Sequence, residues 1–546
     1  MKRLKWTTAS AVAAFSVAGV IAAGTVTAEA AVQTQTAEGG GIVTMPAGDH
    51  RQAADSAPNV LLSGPRLSPT PADELQRLKN LPGTSSAAAT ADEAAVEQTS
   101  TVAPQAVLIE CEMNSATGFA PSDVHGAVAL SNIIEVTNAD IMVRRKSDCA
   151  LVSSMSLKAL FGAFSIPSSE TLFDPRVVYD RLANRCIVTA ESSNSGNTNQ
   201  FLYIASSRNS SCTTWRVIRF VLSRVSPATL FCKNAASDFY DYPNAGYSNT
   251  RLVITSNNFP TSGASYGTLL TINKTALHGA APVVASCFMP VPANSAPAIV
   301  ASANAPMFIL STGSGSGTVV GRRRLNIGTT PANDRLTVLS SINIPNWTAP
   351  PDAVQPNGQR LDTLDGRFQS ATKQIGTSLW NVHAVNVGGV SRVRLYKMST
   401  SATTPSLVKN LFTASCASAN QYTFNPSVDT NSAGAVNAFV TASRTCRGSG
   451  AVGRAAHLIF RGPNNAVGGW GFNLIETSAV QFSNDGNGVI CNNTSARSCR
   501  WGDYSSTQID PSSTTSAWGF NQLITTGTIS GSGSQFNWRT RAGQVN

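Results

Sequence analysis

From Ala106 onward, short apolar runs alternate with clusters of Gly, Ser, Thr, Asn and Pro, the pattern of strands joined by turns. A loose unit recurs. An Asp or Asn beside Pro, Gly or Tyr leads into a small-residue strand, a turn follows, and an apolar strand answers. The leaders are Asp123, Asp174, Asp241, Asn294, Asp365, Asn425 and Asp503, at intervals of 51 to 78 residues. The answering strands read NIIEVTN, RCIVTAE, RLVITSN, MFILSTG, LWNVHAV, VNAFVTA and AWGFNQL, each starting 9 to 14 residues after its leader.

Repeats of this kind predict an all-β fold, a seven-bladed β-propeller over residues 105–546. A four-stranded blade cannot bury both faces alone, whereas radial stacking covers them and leaves only short edges. The last unit has 43 residues after Asp503, enough for three strands rather than four. The run QAVLIE, Gln105 to Glu110, would supply the missing outer strand and close the ring. A pair of β-sandwiches would instead show a compositional break near the middle, and the chain has none after residue 106.

The first 30 residues read as a signal peptide. Lys2, Arg3 and Lys5 precede an apolar run from about Ala11 to Ala23, and Ala28-Glu29-Ala30 fits a cleavage site. Residues 31–104 read as a disordered leader, either spacer or pro-segment, with one short helix from Thr70 to Leu81. No later stretch is apolar enough for a membrane span. Ten cysteines, none spaced Cys-x-x-Cys, point to disulfides in an exported chain, extracellular or periplasmic. Cys416/Cys446 and Cys491/Cys499 are local candidate pairs, and Cys186, inside an apolar run, is a candidate free thiol. The net charge is +10, but the one dense basic cluster is Arg322-Arg323-Arg324, with no interleaved aromatic stripe. Nucleic acid is therefore not an expected partner.

Five stretches in order carry a resemblance: SDVHGAV (Ser122 to Val128), FDPRVVYDRLANRCIVTA (Phe173 to Ala190), DYPNAGYS (Asp241 to Ser248), LDTLDGRFQSATKQIGTSLWNVHAV (Leu361 to Val385) and RWGDYSSTQIDP (Arg500 to Pro511). Together they resemble a mostly uncharacterised family of secreted bacterial seven-bladed β-propeller proteins. The resemblance implies export and the fold, and supplies no catalytic residues. A looser one is to sialidase-like propellers, whose Asp-box turn reads Ser-x-Asp-x-Gly-x-Thr-Trp. RNSSCTTW (Arg208 to Trp215) keeps Thr214 and Trp215 but has Arg208, Ser210 and Cys212 at the other three positions.

If each leader opens an innermost strand, the leaders form a polar ring at one mouth of the channel. Asp123, Asp174, Asp241, Asp365 and Asp503, with Asn294 and Asn425, could bind glycan hydroxyls or a structural calcium ion. Asp and Asn at such positions also tie turns through backbone N–H groups, which makes the repeated role architectural. Trp501 and Tyr504 flank the last leader and could stack on a sugar at the mouth, or pack between blades. Asp174 and Asp180, six apart along a strand, are about 20 Å apart and form no catalytic pair. Any such pair must come from different blades. Ser265 in GASYG lacks the following helix of a nucleophile elbow. DGNG (Asp485 to Gly488) lacks the twelfth-position Glu of a calcium loop. The expected function is a monomeric extracellular glycan- or protein-binding module without a resident cofactor. The alternative is a secreted, sialidase-like glycoside hydrolase with carboxylates at the propeller mouth.

Overall fold

A computed structural model of the chain describes residues 28–50, 105–115, 121–194, 196–303, 305–413, 416–431, 437–463, 465–482, 499–513, 515–525 and 538–546. The fold is a β-propeller. Among the described residues there are seven antiparallel units of four strands each. The innermost strands are His125–Val128, Glu170–Asp180, Phe239–Tyr247, Ser295–Val300, Thr372–Ile375, Gln421–Thr430 and Ser506–Ile509. Each lies beside the next, and the last lies beside the first. The seven answering runs of the sequence are the second strands, from Asn132–Val136 in blade one to Ala517–Ile524 in blade seven.

The core is divided in the same way. Separate apolar clusters fill the wedges between neighbouring blades. One, with Ile134, Val177 and Trp215, lies between blades one and two. Another, with Val124, Val128, Trp518 and Phe520, lies between blades seven and one. Because both faces of each sheet are covered, the second strands are buried along almost their whole length. Close approach demands glycine at two seams. A Cβ on Gly126 would fall 2.1 Å from the Phe520 ring, and one on Gly246 would fall 2.4 Å from the Ala298 carbonyl oxygen.

Blade seven takes its outer strand from the N-terminal side, as expected, but a few residues later than QAVLIE. Ile109–Ser115 pairs with Trp538–Val545, placing Cys111 opposite Ala542 and Ile109 opposite Gln544. The Cys111–Cys149 disulfide then staples this strand to the turn before the last strand of blade one.

Strands run through the end of the segment read as a signal peptide and the start of the region read as a disordered leader. Ala28–Ala30, Gln33–Thr36, Glu38–Thr44 and Gly48–Asp49 pair with the outer strands of blades four, three, two and one in turn. This belt satisfies backbone groups that four outer edges would otherwise present to water. Its composition hides it, because QTQT and EGGGIVT have no apolar face of their own. The signal-peptide residues before Ala28 and the helix expected at Thr70–Leu81 lie outside the described residues.

Cys416 pairs with Cys446, and Cys232 with Cys287. Cys186 is not a free thiol: it is bonded to Cys212, brought beside it by the turn between the third and fourth strands of blade two. Cys499 is disulfide-bonded, and Cys491 lies outside the described residues. No helix among the described residues is long and apolar enough to cross a membrane.

Candidate functional site

Each leader sits at, or one residue from, a backbone position with positive φ. The values are 46° at Asp123, 49° at Asp174, 61° at Tyr242, 58° at Asn294, 59° at Leu364, 52° at Asn425 and 140° at Gly502. Blades two, three and six have a register shift at this point, each across an X-Pro step: Asp174-Pro175, Tyr242-Pro243 and Asn425-Pro426. Asp and Asn tolerate the left-handed region better than most residues. At Asp123, Asp174, Asn294 and Asn425 the leader is thus first a backbone requirement.

The bulges also fix how blades meet. Asp174 donates its backbone N–H to Asn138 Oδ1 at 2.9 Å, and Asn294 donates to Asn257 Oδ1 at 2.8 Å. Tyr242 donates in the same way to Glu191 Oε1 at 3.2 Å. Asn138, Glu191 and Asn257 stand on or just after the second strand of the preceding blade. In two of the three places the acceptor is an amide whose N–H₂ group is also used. Asn138 Nδ2 donates to Asp123 Oδ2 at 2.6 Å, and Asn257 Nδ2 donates to Asn294 Oδ1 at 3.0 Å. Glu191 has no such donor to give.

As a result, three carboxylates meet at the seam of blades two and three. One oxygen from each of Asp174, Glu191 and Asp241 lies within 4.8 Å of the others, and all three residues are buried. Asp174, 1 % exposed, has no hydrogen-bond partner on either carboxylate oxygen. Burial, then the negative charge of Asp241, holds the Asp174 carboxyl well above the usual carboxylate range. Glu191 is raised well above its range by burial, then by Asp241 and Asp174. Glu191 was not singled out from the sequence. Its signal was there: it is the seventh residue of RCIVTAE, where NIIEVTN and RLVITSN have Asn138 and Asn257.

The other leaders take different partners. Asp503 N–H donates to Asp123 Oδ1 at 2.7 Å, and burial and the Asp503 charge push the Asp123 carboxyl up to about 7. Asp365 binds Arg367 through both oxygens, at 2.7 and 3.0 Å. Asn425 Nδ2 donates to the Tyr504 carbonyl at 3.2 Å. The structure therefore links Asp123 with Asp503 and Asp174 with Asp241, while Asn294 and Asp365 are satisfied within their own seams.

Trp501 and Tyr504 are 1 % and 0 % exposed, so neither offers a ring face to solvent. Trp501 donates from Nε1 to Ser443 Oγ at 3.0 Å and packs against Phe424 and Phe482. Tyr504 clusters with Tyr242 and Leu364. The Arg176 guanidinium lies 3.3 Å from the Tyr504 ring centre, and that of Arg367 lies 4.3 Å from the Tyr242 ring centre. Below this layer is a small axial cavity of about 10 Å³ lined from every blade, by His125, Arg176, Asn244, Ile299, Lys373, Ser427 and Thr507 among others.

Two further constellations were not read from the sequence. His278 bridges Ser206 Oγ at 2.8 Å and Asp180 Oδ2 at 3.0 Å, a Ser-His-Asp line. Ser206 is fully buried in its strand, and Lys274 Nζ also binds Asp180 Oδ2, at 2.8 Å. The line thus ties blade two to the helix Lys274–His278 of blade three. At the opposite end from the leaders, the first turns of blades three and four border an open groove of about 570 Å³ lined by Ser248, Asn249, Thr250, Pro306, Arg324 and Asn326 among others.

Cys212, at the glycine position of the turn similar to an Asp-box, has φ 59°, and Trp215 is fully buried. The Asp485–Gly488 stretch lies outside the described residues. Arg322 of the basic cluster is buried and donates to the Ser399 and Ala402 carbonyls of blade five, at 2.7 and 2.9 Å.

The sequence matches no family model and no curated protein. Among solved structures, it is similar to the Trypanosoma rangeli sialidase in complex with sialic acid, with 10 % identity and a TM-score of 0.33. That match covers 68 % of this chain and 53 % of the sialidase, so the chain spans about half the sialidase's length. It is also similar to the GH93 α-L-arabinofuranosidase of Fusarium graminearum, with 9 % identity, a TM-score of 0.35 and coverage of 80 % of this chain and 98 % of that one. A third is the GH43 endo-arabinanase of Bacillus licheniformis, with 11 % identity, a TM-score of 0.27 and coverage of 55 % and 95 %.

Proposed function

We propose that this chain is an exported propeller that binds an extracellular glycan, with no hydrolytic step. The observation that carries this reading is the contrast between its two ends. At the leader end the candidate carboxylates are buried in the blade seams, with Asp123 and Asp365 hydrogen-bonded there. A glycosidase needs two carboxyl groups about 5–5.5 or 6.5–9.5 Å apart facing one substrate pocket. At the other end the open groove offers the exposed Asn249 and Thr250 and the half-buried Arg324 guanidinium, while Ser248 and Asn326 in its wall are held by hydrogen bonds of the fold. Such donors and acceptors suit sugar hydroxyls. The disulfides suit an oxidising compartment, which supports export.

A glycan array tests the reading, with the wild type beside Arg324→Ala and Asn249→Ala. Selective binding that both substitutions weaken is the expected result. Turnover of a fluorogenic glycoside panel would replace it with the hydrolase reading. Binding to a protein but to no glycan would move the ligand class.

A further inference from the structure

The repeat itself isolates the feature that needs explaining. At three successive seams, one residue of the preceding blade accepts the N–H of a left-handed residue. Blades one and three use asparagine, whose amide accepts this N–H and also donates to a leader oxygen, Asp123 Oδ2 or Asn294 Oδ1. Blade two uses Glu191 in the same role. That places a third carboxylate against Asp174 and Asp241 in a buried space where an amide would serve the fold. Asp174, 1 % exposed, brings an oxygen into this cluster, and neither of its carboxylate oxygens meets a hydrogen-bond donor. An unpaired buried carboxylate is costly, and two like neighbours add to the cost. Arg176 and Arg500 act on Asp174 by charge, and Arg176 commits its Nε and Nη1 to the Pro243 and Gln369 carbonyls, at 2.9 and 3.1 Å.

We infer that Asp174, Glu191 and Asp241 form a binding site for a divalent cation, calcium by its chemistry, which locks the seam between blades two and three. Oxygen ligands at 2.3–2.6 Å from a calcium ion lie up to about 5 Å apart when they face each other across it. The mutual limit of 4.8 Å among the three ligand atoms fits that shell. An all-carboxylate set suits a hard cation, whereas zinc favours His and Cys, and neither belongs to the cluster. The ion also replaces the partner that the amide provides in the sister seams. This site is at the leader end, away from the groove of blades three and four, so its test is independent of the glycan reading.

The test uses the full oxidised chain, stripped with EDTA and titrated with calcium chloride, followed by thermal unfolding and isothermal titration. EDTA should lower the unfolding midpoint and calcium should restore it. Glu191→Gln, which gives blade two an amide in place of its carboxylate, should stay folded by circular dichroism and lose calcium affinity roughly tenfold or more. It should also lose most of the calcium-dependent shift. Asp174→Asn is the second variant and should behave alike. A wild type whose midpoint is the same in EDTA and in millimolar calcium, with no calcium by elemental analysis, overturns the assignment. So does a calcium shift that persists undiminished in both variants.

Discussion

The backbone N–H of Asp503 donates to Asp123 Oδ1 at 2.7 Å, so the leader of the last blade rests on the leader of the first. The other oxygen of Asp123 accepts from Asn138 Nδ2 at 2.6 Å, within blade one. One buried carboxylate therefore spans the point where the ring closes. Asp123→Ala leaves two buried donors unpaired, at about 1–3 kcal/mol each, partly offset by removing a carboxyl that burial disfavours. The expected net loss is about 1–3 kcal/mol, read as a lower urea midpoint at unchanged slope. Asp123→Asn keeps an oxygen for the Asp503 N–H and should lose less. Equal, unmoved midpoints in both variants would remove this hydrogen bond from the account of closure.

The second closure device is covalent. Cys111 lies on the outer strand of blade seven and Cys149 in blade one, 38 residues apart. A cross-link of this loop length restricts the unfolded chain by up to about 4 kcal/mol, and native disulfides typically contribute about 2–4. The double variant Cys111→Ser, Cys149→Ser should lose stability in that range. Limited proteolysis should then cut near Ile109–Ser115 first. Cleavage elsewhere, with this strand still protected, would show that pairing with Trp538–Val545 holds it unaided.

Much of the ring was legible because its constraints act on single positions. A left-handed residue at a strand start selects Asp, Asn or Gly, and the following Pro marks the bulge; hence Asp174-Pro175 and Asn425-Pro426 stand out. The second strands are buried on both faces, so their apolar content survives without alternation. The belt was not legible, because it is held by backbone pairing at blade edges, and Gln33–Thr36 has alternating half-exposed positions with no apolar face. The candidate cation site was half legible. Asp174 and Asp241 follow from the leader pattern, whereas Glu191 required knowing that strand ends pack against the next blade's leader. The same ignorance of burial left Trp501 and Tyr504 open between a sugar platform and packing between blades, and both rings are buried.

The belt gives a local prediction. A Cβ on Gly40 would fall 2.8 Å from the Phe164 ring and 2.9 Å from Val217 Cγ2. Gly40→Val should therefore lift Glu38–Thr44 off the outer strand of blade two. Hydrogen exchange would report lost protection at these residues, with little change in global midpoint, because the segment lies outside the wedge cores. Retained protection would mean that Phe164 moves aside and the edge pairing dominates.

The pH dependence of stability should carry a signature of Lys233. Its side chain is buried, 1 % exposed, and Nζ donates to Ser223 Oγ at 3.1 Å and the Ala236 carbonyl at 2.8 Å. Burial pushes its ammonium down to about 7, against the opposing charge of Asp238. In the unfolded chain a lysine titrates near 10.4. Between about 7 and 10 the unfolded state therefore holds a proton that the native state has released. Stability from this group rises with pH across that window and is flat below it. The limiting slope for one proton is about 1.4 kcal/mol per pH unit. Lys233→Met removes that slope while other titrating groups stay in place, so wild type minus variant isolates it. Urea midpoints at pH 6, 7, 8 and 9 should show the difference moving in favour of the wild type, least over the first step and by nearly the limiting slope over the last. A difference that is level from pH 6 to 9 would mean that Lys233 keeps its proton in the fold, with Asp238 as a true partner rather than a distant charge.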